Sequence, residues 1–285
     1  MKRALVLGGA LAAFGLGLAS SPAAAQATIG WDAAVFNAYV WRGITYTNKP
    51  VFEPDVYVSF PVGAASITVG GWANIDIGKY DGLTDLSESG GSSAFNFAEF
   101  DYWAEANIPA GTATLTAGIT GYFFPNNAGF TKIFNTTEIY GKVALSSVPL
   151  SPKLAAWVDI DKVKGAYFEG SVARSVPLGA ASLNLGLLAG LSAGQDCKLT
   201  GAKVYSANCT ASFWNFAENG LTHVDLSGSI PFTAGPLTIA PSAHAVYLHD
   251  QQDQFTKGGT QKDFKAWLGV TVSWSHSLGA PAKTE

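Results

Sequence analysis

The chain has 285 residues, of which 48% are hydrophobic, 12% aromatic and only 13% charged, and its formal net charge is −4. This charged share is about half that of ordinary soluble domains, which argues against a disordered tail protein and a coiled coil. The negative net charge argues against nucleic-acid binding. Thr, Val, Trp, Tyr and Phe are common and methionine occurs once, so the composition predicts an all-β protein.

The N-terminus has the pattern of an export signal. Lys2 and Arg3 precede an apolar stretch over residues 4–18, and small residues follow it. The apolar stretch is shorter than the roughly 20 residues that a membrane-spanning helix needs. We therefore predict a signal peptide over residues 1–25 and one mature domain over residues 26–285, which functions beyond the inner membrane.

A turn motif recurs along the mature chain and divides it into segments. In each copy an apolar residue and a proline end one segment, a glycine usually follows, and a new segment begins. The copies lie at residues 60–67, 108–115, 148–152, 176–183 and 230–237. Longer polar stretches lie between them, at residues 79–96, 125–135, 194–219 and 250–262. Short turns that alternate with long loops are typical of an up-and-down β-barrel that crosses a membrane.

The segments between turns and loops alternate between apolar and polar residues with a period of two, as half-buried strands do. Such segments cover residues 30–41, 52–61, 65–78, 97–108, 113–123, 136–145, 153–161, 167–176, 182–193, 221–230, 237–248 and 263–274. Outer-membrane barrels have an even number of strands of about ten residues each. We therefore predict an all-β fold, a closed up-and-down transmembrane β-barrel of about twelve antiparallel strands, in the outer membrane of a bacterium.

The polar faces of these segments line the lumen if the apolar faces contact lipid. Acidic residues dominate them, namely Glu53, Asp55, Asp76, Glu99, Asp101, Glu105, Glu138, Asp159, Asp161, Glu169 and Asp225, against Lys142, Lys153 and Lys265. A water-filled bore ringed by carboxylates concentrates cations and excludes anions. We expect selectivity to depend on Asp76, Glu99, Asp101, Glu105, Asp159 and Asp161. The alternative is a polar network that merely fills a narrow bore.

Aromatic residues share the lumen face with these acids. Trp72, Trp103 and Trp157 each lie close in sequence to an acidic residue of the same face. An aromatic plane beside carboxylates suits the stacking of sugars, nucleosides or small cationic aromatic solutes. The alternative is that these three side chains only pack the interior.

The two cysteines, Cys197 and Cys209, fall in one polar segment. An exported protein reaches an oxidising compartment, so we predict a disulfide between them. No histidine lies at zinc-like spacing from them and the sequence has no second cysteine pair, so we predict neither a metal nor a cofactor. His223 and Asp225 share a strand face, and such a pair could be catalytic, metal-binding or simply part of the polar lining.

The first predicted strand carries the motif Asn37-Ala38-Tyr39-Val40-Trp41-Arg42-Gly43-Ile44. This motif resembles the Tyr-Val-Trp-Arg-Gly start of the TorF-type family of bacterial porin-like outer-membrane proteins. The resemblance implies a barrel of the outer membrane and leaves the solute open. We expect Tyr39 and Trp41 near the outer interface, Arg42 at lipid phosphates or a loop carboxylate, and Gly43 at a bend. The alternative is Arg42 as a lumen ligand.

These patterns predict a porin-like channel for passive diffusion of small cationic or neutral polar solutes. Its partners are outer-membrane lipid and those solutes, and nucleic acid is not among them. Two alternatives remain. One is a structural or adhesive barrel whose lumen is plugged, and the other is an outer-membrane hydrolase that uses His223 and Asp225.

Overall fold

Seventeen β-strands and no helix make up the part of the chain that the computed structural model describes, which is residues 26–80, 93–126, 135–179, 181–195, 199–200, 204–205, 219–248 and 264–278. The strands are β1 (Ala27–Phe36), β2 (Tyr39–Trp41), β3 (Ile44–Thr47), β4 (Val51–Val62), β5 (Ala65–Asp76), β6 (Asn96–Ala110), β7 (Ala113–Phe123), β8 (Thr136–Ala144), β9 (Lys153–Asp159), β10 (Ala166–Leu178), β11 (Ala181–Ala193), β12 (Leu199–Thr200), β13 (Val204–Tyr205), β14 (Gly220–Ser229), β15 (Phe232–Ala234), β16 (Leu237–Leu248) and β17 (Phe264–Leu278). The all-β prediction is confirmed. A helix able to span a membrane is not found within these ranges.

Twelve antiparallel strands form a closed barrel wall. Each wall strand pairs with the next one along the chain, and β1 pairs with β17 from Ala27 opposite Leu278 to Phe36 opposite Gly269, which closes the ring. Strands β14 and β15 act as one interrupted wall strand because both pair with β16. The predicted closed barrel and its strand number are confirmed. Closure pairs the two edge strands that an open sheet would leave exposed.

Short turns lie at one end of the barrel and owe their geometry to glycine. Four of them place a glycine with positive φ at the first central position, namely Gly63 (62°), Gly111 (63°), Gly179 (65°) and Gly235 (60°). This backbone conformation favours glycine and matches the type II′ hairpin turn. The prolines of the turn motif, such as Pro61 and Pro109, instead lie inside strands β4 and β6. The reversal therefore depends on the glycine and not on the proline.

The two faces of the wall are inverted relative to a soluble protein. Val56, Leu154, Leu226 and Leu268 point outward, and each is more than half exposed. Polar groups point inward and are buried, among them Asn74, Asp76 and Glu138, whose side chains are fully covered. An apolar outer surface around a polar interior is the arrangement that a barrel adopts in lipid.

The first wall strand ends earlier than the predicted segment 30–41, which is wrong beyond Phe36. The backbone N–H of Asn37 donates to the carbonyl oxygen of Leu268 (3.0 Å), and the Asn37 side-chain oxygen accepts from the N–H of Leu268 (2.9 Å). After this anchor the chain leaves the wall. Residues 39–47 then form a separate two-stranded hairpin, β2–β3, which we call the lumen hairpin.

Candidate functional site: the lumen and its hairpin

The lumen hairpin crosses the half of the barrel that lies toward the long loops. Its contacts are with inward-facing residues on several wall strands. The Tyr39 hydroxyl donates to Glu99 of β6 (2.8 Å), Arg42 pairs with Glu138 of β8, and the Thr47 hydroxyl donates to Asp76 of β5 (3.4 Å). Residues 44–47 are all buried. The hairpin therefore fills this half of the lumen.

Arg42 is the central anchor of the hairpin. Its two terminal nitrogens donate to the two carboxylate oxygens of Glu138, at 2.9 and 2.7 Å. The guanidinium carbon lies 4.1 Å from the ring centres of both Trp41 and Tyr167, as in a cation–π sandwich. Burial alone would lower the pKa of Arg42, but the charge of Glu138 raises it, so the side chain stays protonated.

The position of Arg42 corrects the prediction that it faces lipid phosphates or a loop carboxylate. That prediction continued the inward–outward alternation of the β1 side chains through residue 42. The break at Asn37 resets this alternation, and the hairpin carries Arg42 into the lumen, where it pairs with Glu138. Tyr39 and Trp41 likewise lie in the buried core cluster of the lumen or against it, not at the outer interface.

Gly43 forms the tip of the hairpin together with Arg42. Both residues have positive φ, 48° for Arg42 and 82° for Gly43, as the two central residues of a type I′ turn do. A Cβ atom on Gly43 would lie 2.8 Å from His223 on β14 and 2.8 Å from Leu248 on β16. The tip thus needs glycine for its backbone and for its close approach to the opposite wall.

The six predicted selectivity carboxylates fall into three groups. Asp76, Glu99 and Asp101 are buried in the half of the lumen that the hairpin fills. Glu105 lies nearer the short-turn end, where it accepts from Lys142 (3.2 Å) and Tyr140 (3.0 Å).

The third group lies where β9 ends: Asp159 is its last residue, and Asp161 lies in the connection to β10. One oxygen of Asp159 accepts the backbone N–H groups of Asp161, Val163 and Lys164, each at 3.0 Å. The other oxygen accepts from the Thr136 hydroxyl (2.5 Å). Asp161 lies beyond the end of β9, is exposed and pairs with its neighbour Lys162 (2.8 Å), so its predicted place on the lumen wall is wrong.

The three predicted lumen tryptophans are not gathered in one place. The rings of Trp72 and Tyr39 are 5.6 Å apart, and Trp157 stands between Tyr140 (6.2 Å) and Tyr167 (5.7 Å). Trp103 covers Gly70 on the neighbouring strand. Trp72 and Trp157 therefore pack around the hairpin on different sides.

A cavity of about 360 Å³ lies between the hairpin and the wall. Five aromatic rings, two aliphatic side chains, two carboxylates and one imidazole form its lining. Its lining residues are Phe36, Ala38, Tyr39, Val40, Trp41, Glu53, Trp72, Asp101, His244 and Trp267. The ring of His244 stacks on Trp267 at 4.8 Å. This partly open cavity is large enough to hold a small molecule.

The candidate catalytic pair is not assembled. His223 is buried, stacks on Tyr167 and has its Nδ1 3.0 Å from the Thr222 hydroxyl. Asp225 lies instead near His244, with 3.9 Å between its oxygen and Nδ1. Groups of three or more potential metal ligands are not found among the described residues. Cys197, Cys209 and the signal peptide lie outside the described residues, so the disulfide and the cleavage remain predictions.

One charged residue of the lumen, Asp32, is absent from the prediction made from the sequence, and a second, Arg42, appears in it only as an alternative. Asp32 lies opposite Asp55 across the β1–β4 pair, so it faces inward with it. The alternation of side chains along β1 could have identified Asp32 as an inward-facing residue. No comparable signal marks Arg42, because the break at Asn37 that turns it inward depends on contacts with β17.

Comparison with known proteins gives similarity of fold alone. No protein-family model matches the sequence, and no curated protein matches it. The COG4313 outer membrane channel from Pseudomonas putida F1 is 9% identical, with 91% of this chain and 98% of that chain covered and a TM-score of 0.48. The KdgM porin in complex with disordered oligogalacturonate is 8% identical, with 87% and 98% covered and a TM-score of 0.42. LpxR from Salmonella typhimurium is 10% identical, with 86% and 99% covered and a TM-score of 0.49.

The structure itself defines the class of protein. Twelve antiparallel strands close on themselves, the outer face is apolar, and the interior is polar and charged. Single-chain barrels with these properties and an even strand number belong to the bacterial outer membrane. The chain is therefore an outer-membrane β-barrel, and its lumen carries an internal hairpin.

Proposed function

We propose that this barrel is a channel for passive diffusion of small cationic or neutral polar solutes, and that the lumen hairpin narrows its outer half. The observation that carries the proposal is the excess of carboxylates on the inner face. Asp32, Glu53, Asp55 and Asp225 all face the lumen in addition to the acids around the hairpin. A negatively charged lumen attracts cations and repels anions.

The acids of the inner face outnumber its basic groups, which are Arg42 of the hairpin and the predicted inward lysines Lys142, Lys153 and Lys265. Arg42 is neutralised by Glu138, with which it forms a bidentate pair, and Lys142 is paired with Glu105. Glu105 and Asp225 retain side-chain exposures of 19% and 21%, so solvent and ions reach them. These two carboxylates are better placed to act on a passing ion than the buried Glu99.

The proposal is tested by single-channel recording in a planar bilayer across a KCl gradient. We expect discrete current steps and a reversal potential on the cation side. Replacing Glu105→Lys together with Asp225→Lys should move the reversal potential to zero or to the anion side. The control is Asp161→Lys, which reverses one carboxylate charge on an exposed loop residue and should leave selectivity unchanged. An open channel whose selectivity survives the double reversal contradicts the proposal.

The buried hairpin favours a second candidate, a structural or adhesive barrel with a plugged lumen. Residues 44–47 are buried and Arg42 is locked in an ion pair that is hard to break. This candidate predicts folded protein that gives no current while the hairpin is in place. A hydrolase is disfavoured because His223 and Asp225 do not contact each other. Ester turnover by the parent protein that is lost in His223→Ala would support the hydrolase candidate again.

A further inference from the structure

The cavity beside the hairpin combines aromatic faces with negative charge. The rings of Tyr39, Trp41, Trp72 and Trp267 line it, and Glu53 and Asp101 provide its carboxylates. Its volume of about 360 Å³ falls in the range of small-molecule sites. Aromatic faces attract cations through their negative π clouds, and the attraction is strongest where water is excluded.

Glu53 distinguishes this cavity from a region that is simply packed. It lies on β4, is partly buried and faces the cavity. Within the part of the chain that the structure describes, no hydrogen bond or ion pair reaches its carboxylate. Burial removes part of its hydration, and the like charge of Glu99 also acts on it. A carboxylate in this position is stabilised when a cation enters.

The donor set favours an organic cation over a metal ion. Ca²⁺ and Mg²⁺ need six or more oxygen ligands in a tight shell, and the lining here offers two carboxylates among five aromatic rings. An alkylated ammonium group needs no such shell, because its charge is spread over methyl groups that pack against rings. The hairpin supplies Tyr39 and Trp41, so the cavity is complete only when the hairpin is docked.

We propose that this cavity binds a small organic cation of the alkylated ammonium class, with the rings of Tyr39, Trp41, Trp72 and Trp267 around its methyl groups and Glu53 as its counter-charge. The inference deepens the proposed function, because it names a solute class for the channel and to that extent rests on it. It also requires binding in the resting protein, which can be measured without any current.

The probe is choline, titrated calorimetrically into the full mature protein in a maltoside detergent, whose head group carries no ammonium. The comparison probe is 3,3-dimethyl-1-butanol, which has the same shape without the charge. We expect choline to bind at least about tenfold more tightly than the neutral alcohol. Equal affinities overturn the proposal, and so does the absence of choline binding to protein whose barrel is folded by heat-modifiable gel migration.

Variants locate the site within the barrel. Glu53→Gln keeps the shape of the side chain and should weaken choline binding about tenfold, and Trp267→Leu should weaken it by removing a ring. The matched control is Glu169→Gln, a lumen carboxylate on β10 that does not line the cavity, and it should bind choline like the parent. If Glu53→Gln and Glu169→Gln lose the same choline affinity, the assignment of the site to this cavity is wrong.

Failure of the site and failure of the channel give different results. A cation-directed reversal potential in KCl without choline binding removes the site and leaves the channel. Choline binding by folded protein that never conducts removes the channel and leaves a binding barrel.

Discussion

At the scale of single residues, Arg42 and Glu138 form the most consequential contact of the interior. The two residues are 96 positions apart in the chain, and both side chains are nearly fully buried. A buried ion pair adds little net stability, yet removing one partner leaves a charge without compensation. Tyr122 donates to the same Glu138 carboxylate at 2.8 Å, so Glu138 holds both the hairpin and the wall.

Arg42→Leu should lower the free energy of unfolding by about 3–5 kcal/mol, because Glu138 is then buried without its cation. Adding Glu138→Leu to that variant should recover a large part of the loss, since the uncompensated charge is gone. Denaturant unfolding in lipid vesicles, followed by tryptophan fluorescence, measures both. Lys162→Ala is the control, because its pair with Asp161 is exposed, and it should cost no more than about 1 kcal/mol. Equal effects of Arg42→Leu and Lys162→Ala would contradict the assignment.

Gly43→Ala and Gly63→Ala separate packing from backbone strain. Both glycines have positive φ, but a Cβ on Gly63 meets nothing within 4 Å, whereas one on Gly43 meets His223 and Leu248 at 2.8 Å. Both variants should lose stability through strain. Only Gly43→Ala should also raise single-channel conductance, because the hairpin tip no longer seats against β14 and β16. An unchanged conductance in Gly43→Ala shows that the tip does not restrict the passage.

At the scale of elements, the wall and the lumen hairpin are separable. Strands β1 and β4 pair directly from Thr28 opposite Ser59 to Phe36 opposite Val51, without help from residues 39–47. The wall therefore closes through its own hydrogen bonds, while the hairpin docks through side chains. This division explains how a barrel can carry an internal obstacle without losing its fold.

Replacing residues 38–49 by a short Gly/Ser turn should leave a folded barrel with a larger conductance. The ends to be joined are already adjacent, because Phe36 pairs with Val51. Folding is checked by heat-modifiable gel migration and conductance by planar bilayer recording. A deletion variant that folds but conducts like the parent would place the constriction elsewhere.

At the scale of the whole molecule, the inversion of the two faces governs where charge is tolerated. Outward positions contact lipid, where a charged side chain costs about 2–4 kcal/mol at the bilayer midplane. Inward positions contact water and polar groups. The alternation along each strand therefore separates two chemical environments by a single residue.

Leu226→Lys and Ser227→Lys test that inversion on neighbouring residues of β14. Leu226 is 55% exposed on the outer face, and Ser227 faces the lumen opposite His244. Leu226→Lys should lose about 2–4 kcal/mol of unfolding free energy in vesicles, whereas Ser227→Lys should lose much less and shift selectivity away from cations. If the two variants lose the same free energy, the inside-out assignment is wrong.

Much of this architecture follows from local pattern. Alternation with a period of two distinguishes the inner from the outer face of β6, where Glu99, Asp101 and Glu105 share the lumen side. The Gly-containing turns and the strand number likewise arise from features a few residues apart. Asp161 shows where prediction from alternation fails, because strand ends depend on hydrogen bonds that alternation does not encode. Asp159 ends β9 by accepting three backbone N–H groups.

The sequence by itself determined the all-β class, the closed barrel and the acidic character of its inner face, because each depends on residue type and spacing within one strand or turn. Only the tertiary structure decided where Tyr39, Trp41 and Arg42 lie. Their destination depends on Asn37 bonding to Leu268, 231 positions away, and on Arg42 reaching Glu138. Contacts between residues so far apart in the chain form only once the wall has closed, and they set both the filling of the lumen and the shape of its cavity.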